Sequence, residues 1–186
     1  MRPAVWSTVT ADNTAAAVAI GVRGRPTLKV SNGWTYGPAS GVSTTTTADE
    51  RALRVEAGSV LTVDPDGGTA TIAEDVAGEG SLVITNGTLA VNSSATNSVN
   101  LKVAASGVLA LPNNLNVGSL ELQTGSAIVP PAVLENLRGW QTVLVAADGV
   151  TDSGCSLPAG YKMRTKSVEG GVALQLRMCG TKIIIR

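Results

Sequence analysis

At 186 residues the chain is long enough for one domain with a sizeable core, or one domain plus a small terminal module. It has no Phe, three Trp and two Tyr, so its apolar mass is Val, Leu, Ala and Ile; with charged residues at only 15%, this argues against a helical bundle and against a disordered chain. Acids and bases balance at 14 each, which disfavours a general polyanion binder, and the absence of His excludes Ser-His-Asp and Cys-His catalysis.

In chain order, residues 1–27 read as an N-terminal cap or pairing segment. It contains the apolar strand Ala15-Ala-Ala-Val-Ala-Ile-Gly-Val22, with Ala15, Val18, Ile20 and Val22 as candidate assembly positions. That run is short, follows Asp12 and has no basic stretch before it. It does not read as a secretory leader, so an extracellular chain would have lost its leader or be a piece of a longer protein.

Residues 28–139 carry a repeat. Its copies are Leu28-Lys-Val-Ser-Asn-Gly33, Leu53-Arg-Val-Glu-Ala-Gly58, Leu82-Val-Ile-Thr-Asn-Gly87, Leu101-Lys-Val-Ala-Ala-Ser-Gly107 and Leu120-Glu-Leu-Gln-Thr-Gly125, with leading leucines stepped by 25, 29, 19 and 19 residues. A second alternating strand follows the glycine, as in Val60–Val63, Thr88–Val91, Val108–Leu111 and Ala127–Val129. The Trp34–Thr47 and Asp64–Gly68 stretches lengthen the first two steps and project as loops. Pro130-Pro131 then breaks the strands, with a short helix or irregular turn after it.

Residues 140–186 form a C-terminal β module. Its strands are Thr142–Ala146, Tyr161–Arg164, Val172–Met178 and Lys182–Arg186, with Gly170-Gly171 as a hairpin signal and Ile183, Ile184 and Ile185 as candidate assembly positions. No stretch is apolar enough for a membrane span.

Leu-x-Val puts two apolar side chains on one strand face, and glycine, often after Asn, permits a tight corner. One copy cannot bury its face alone, but stacked copies can. The expected fold is therefore all-β: a right-handed single-stranded parallel β-helix, or solenoid, of about 5–6 coils with a small C-terminal β module. A leucine-rich repeat fits poorly, because the Asn/Cys ladder position and the intervening helix are missing.

These phrases resemble the autotransporter-associated β-strand repeats of bacterial surface and secreted proteins. Thr142–Gly149, Leu157–Lys162 and Gly171–Leu176 resemble the segment that often closes such arrays. The resemblance implies a parallel β-helix, an extracellular or cell-surface location, and a structural, adhesive or spacer role. It brings no catalytic residues with it.

The expected function is a non-enzymatic structural or adhesive module, self-associating into filaments through its terminal strands or joined to a larger surface protein. No catalytic residue, cofactor, metal or nucleic-acid partner is expected. Trp34 and Tyr36 are candidate contacts for a glycan or partner, or else a cover for the end of the core; Trp6 and Trp140 are expected to plug the ends. The alternative function is a small carbohydrate-binding or carbohydrate-active β-helix of lyase or glycosidase type, using Asp64, Asp66, Glu74 and Asp75. Cys155 and Cys179 are either one disulfide or two free thiols. Charge is segregated, with eight acids and two bases in 49–80 against seven bases and three acids in 138–186, which reads as solvated faces or as complementary docking surfaces.

Overall fold

The computed structural model describes residues 20–37, 53–91, 98–111, 114–136 and 139–179. Strands β1 (Ile20–Val22), β2 (Thr27–Lys29) and β3 (Trp34–Tyr36) each belong to a different sheet. The next three, β4 (Leu53–Val55), β5 (Val60–Asp64) and β6 (Thr69–Ile72), join those sheets in the same order, and β7 (Val76–Ala77), β8 (Ser81–Ile84) and β9 (Gly87–Val91) do so again. Strands β10 (Asn100–Val103) and β11 (Gly107–Ala110) continue the second and third sheets. After β12 (Leu115–Val117), in a fourth sheet, β13 (Ser119–Leu122) and β14 (Ala127–Val129) return to them.

A 3-10 helix, Ala132–Asn136, follows the double proline. Strand β15 (Gln141–Ala146) pairs in parallel with β12, and β16 (Val150–Asp152) pairs in parallel with β13. Strands β17 (Tyr161–Val168) and β18 (Gly171–Met178) form an antiparallel hairpin whose turn is Glu169-Gly170, and β18 also pairs antiparallel with β15. Every pairing in the first three sheets is parallel, so the chain is all-β with mostly parallel sheets.

The alternation Leu-x-Val explains where the core sits. In β5, β8, β10 and β13 every second residue is buried, and the registers put Leu61, Leu82, Leu101 and Leu120 in one column and Val63, Ile84, Val103 and Leu122 in the next. The third sheet contributes Ala70, Leu89, Leu109 and Ile128. All these residues belong to one apolar cluster. Each leucine there contributes about 1.5–3 kcal/mol through burial, with no large ring needed.

This register corrects one expectation. Leu53 does not stand in the column of Leu82, because β4 pairs with β1 and β7 in the first sheet. Leu61 takes that place, so the leucine steps are 21, 19 and 19 residues. Leu28 lies one pair further along its strand, opposite Val63. The physical reason is that Leu-x-Val-x-x-Gly encodes only a strand and a corner. The phrase at Leu53 enters the first sheet and those at Leu82, Leu101 and Leu120 the second, so the phrase alone does not say which sheet a copy enters.

Two glycines make the layers fit. Gly78 has φ +98°, and a Cβ there would collide with the Val55 carbonyl oxygen of the preceding layer. At Gly107 a Cβ would collide with the Ile84 carbonyl oxygen.

Candidate functional site

Trp34 and Tyr36 lie on β3, the last strand of the third sheet, opposite Ala70 and Ile72. Their rings stack at 6.4 Å between centroids and 27° between planes, and both are half-buried against the core. Their alternate spacing on a short edge strand turns both rings to the same side, over the end of the apolar column.

Asp64 ends β5. Its Oδ1 accepts from the Asp66 backbone N–H at 3.0 Å and from Asn86 Nδ2 at 3.1 Å, and its Oδ2 is 3.9 Å from Lys29 Nζ. Asp66, at φ 51°, is exposed in the turn that follows. The Asn-Gly corners work with this turn: Asn32 Oδ1 accepts from the Thr69 N–H at 2.8 Å, and the Gly67 N–H donates to the Asn86 carbonyl at 2.7 Å. Glu74, which is buried, and Asp75 lie beyond β6, at the next corner. The structure therefore separates the four carboxylates into two pairs, and the Asp64 carboxylate already serves the turn. Among the described residues no group of three or more Asp, Glu or Cys is placed to hold a metal.

The outer face of the second sheet carries a polar ladder. Lys102 Nζ lies 2.7 Å from Glu121 Oε1, which also accepts from Gln123 Nε2, and Ser119 Oγ donates to Asn100 Oδ1 at 2.8 Å. The Lys102 hydrogen bond holds the Glu121 carboxyl below its ordinary range. A carboxyl lowered on folding adds stability above the unfolded pKa and loses it as pH falls through the folded one, and at this exposed site the effect is small. Beside the ladder is a groove of about 500 Å³ of mixed lining, with Glu79, Ser98, Asn100 and Asp148 beside Val117 and Val145, among others.

Cys155 and Cys179 are free thiols, the first half-buried and the second exposed. Burial, then the neighbouring Asp152 carboxylate, push the Cys155 thiol up to about 11. At pH 8 Cys155 thus stays protonated, and only above about 11 does its thiolate dominate. Disulfide-exchange labelling of the folded chain at pH 8 is expected to modify Cys179 promptly and Cys155 slowly, with the two rates converging in denaturant. Equal rates in the folded chain would contradict the arrangement.

Sequence reasoning missed the outer face of the β17–β18 hairpin. There the guanidinium carbons of Arg164 and Arg177 lie 4.4 and 4.9 Å from the ring centroid of Trp140. Trp140 is half-buried beside this face rather than plugging the core, because the hairpin brings two cations onto its ring. The alternation Lys162-x-Arg164-x-Lys166 was the visible signal, and the register that adds Arg177 was not.

Ala15, Val18, Ile183, Ile184 and Ile185, together with Trp6, lie outside the described residues. Ile20 and Val22 lie on β1, where Val22 is buried. Comparison of the chain with protein-family models, curated proteins and solved structures finds no match. No helix among the described residues is long and apolar enough to cross a membrane.

Proposed function

We propose that the chain is a right-handed single-stranded parallel β-helix of about 5–6 coils, and that it acts outside the cell as a structural or adhesive module without enzymatic activity. The observation that carries this reading is the column Leu61–Leu82–Leu101–Leu120, built by parallel pairing between successive visits to one sheet. Parallel crossovers are right-handed in nearly all proteins, which supports the hand. The likeness of the Leu-x-Val-x-x-Gly phrases to autotransporter-associated repeats supports the setting.

Self-association through the ends belongs to the same proposal. Among the described residues, strands β1, β2 and β3 are terminal in their sheets at one end, and β16 and β14, the latter bridged at Ala127 by Ser156, at the other. Sheet ends of this kind invite pairing with a further strand.

Two measurements test it. Immunogold labelling of unopened source cells, with an antibody to the purified chain, is expected to decorate the outside. Label that appears only after the cells are opened overturns the extracellular role. Sedimentation velocity is expected to show mass rising with concentration, and a constant monomer mass removes the assembly.

A further inference from the structure

We infer that the outward face of the β17–β18 hairpin, with Trp140 beside it, is a binding surface for a carboxylate-bearing polysaccharide, an inference that rests on the extracellular reading above.

The hairpin register builds the face. Lys162 stands opposite Arg177, Arg164 opposite Gln175 and Lys166 opposite Ala173. Side chains alternate along a strand, so Lys162, Arg164 and Lys166 share a face with Gln175 and Arg177. Tyr161 and Met163, one residue out of phase, pack against the core. The three β17 cations repeat every second residue, about 6.6–6.8 Å apart.

The face is organised, and among the described residues its four cations form no ion pair. Arg164 Nε donates to Gln175 Oε1 at 2.9 Å, and Gln175 Nε2 donates to Thr142 Oγ1 at 3.1 Å. This chain of bonds fixes one guanidinium. Arg177 Nε is shielded from solvent with no hydrogen-bond acceptor. Both guanidiniums are drawn to the Trp140 ring and repel each other there. The ion pairs among the described side chains are Lys29–Asp64 and Lys102–Glu121, and neither involves these four cations. An anion accepting from both guanidiniums would relieve the repulsion. A carboxylate suits their planar fork, and a polymer bearing carboxylates at intervals suits the row of cations.

Other polyanions fit less well. Single-stranded nucleic acid needs aromatic rings on which to stack bases; Tyr161 is turned to the core and the Trp140 ring is occupied by guanidiniums. A second copy is a poorer match, because no strand among the described residues carries more than one acid: Asp64, Asp66, Glu74, Asp75, Glu56 and Glu79 sit at or beside corners. A lipid surface calls for exposed apolar side chains beside the cations, whereas the Trp140 ring here is covered by two guanidiniums and its neighbours Thr142 and Gln175 are polar. The zero net charge of the chain does not cancel the patch, because fields from distant acids fade over a Debye length of about 8 Å in physiological salt.

The test is interferometry of the whole chain on immobilised polygalacturonate, dextran and polythymidylate, at low and physiological salt. Polygalacturonate is expected to bind, more weakly as salt rises, with dextran silent and polythymidylate weaker. Replacing Lys162→Gln, Arg164→Gln and Lys166→Gln together is expected to weaken binding roughly tenfold or more, with an unchanged circular dichroism spectrum. Lys102→Gln, on another sheet, is expected to leave binding unchanged. Absent polygalacturonate binding, equal dextran binding, tighter polythymidylate binding or an unaffected triple variant would each overturn the inference. Should the triple variant misfold, adding free arginine as a competitor reads the same contact, and binding that is insensitive to it would also overturn the inference. None of these results bears on whether the chain lies outside the cell, which the immunogold labelling decides separately.

Discussion

Leu101→Ala is expected to destabilise the fold by about 2–5 kcal/mol, read as a lower urea midpoint at an unchanged slope. Leu101 sits between Leu82 and Leu120 in the buried column and is itself 2% exposed. Truncation removes apolar burial and leaves a void between the Leu82 and Leu120 side chains, where strands held at sheet spacing cannot close in. Lys102→Ala is the matched comparison. Its side chain points outward to Glu121, with 35% and 43% exposure for the two partners, so its loss is expected to cost less than about 1 kcal/mol. Equal costs for these neighbours would contradict the inward and outward alternation of the whole second sheet.

Gly78→Ala is expected to cost about 2–5 kcal/mol, the sum of forcing an L-residue into positive φ and of overpacking. Neither penalty has an easy release. The atom in the way is the Val55 carbonyl oxygen, and moving it disturbs the strand that pairs with β1 and β7. Gly107→Ala meets only the second penalty, because its φ is not in the left-handed region, and about 1–3 kcal/mol is expected. Thermal unfolding of the two variants gives the order. A Gly78→Ala protein as stable as the parent would mean that the layers are not as close as the structure has them.

The inward positions were legible because alternation is a local property. Leu82-Val-Ile and Leu101-Lys-Val announce their buried faces without reference to anything else, and so does the hairpin at Gly170-Gly171. The stacking order was less legible. Leu53 and Leu61 both begin strands of the right kind, and choosing between them requires knowing how much chain each corner consumes, which the excursion at Asp64–Gly68 obscures. Asp64 and Asp66 stood out as a carboxylate cluster, but Asp64 Oδ1 is taken up by the Asp66 N–H and Asn86. An Asp two residues before a turn N–H has that use open to it wherever it occurs. The Arg164–Trp140–Arg177 group was hidden for the opposite reason. Its members are far apart in sequence, and only the pairing of β17 with β18 and of β18 with β15 brings them together.

The 19-residue step between Leu82, Leu101 and Leu120 also sets the unit in which this chain can change length. Removing or duplicating a whole period keeps the column of the second sheet in step and returns every later side chain to its own side of the sheet. Removing a single residue within a strand turns the remainder of that strand inside out. In the β-helix proposed above, growth and shortening are therefore quantised, one circuit at a time, while the corners between strands absorb the small insertions.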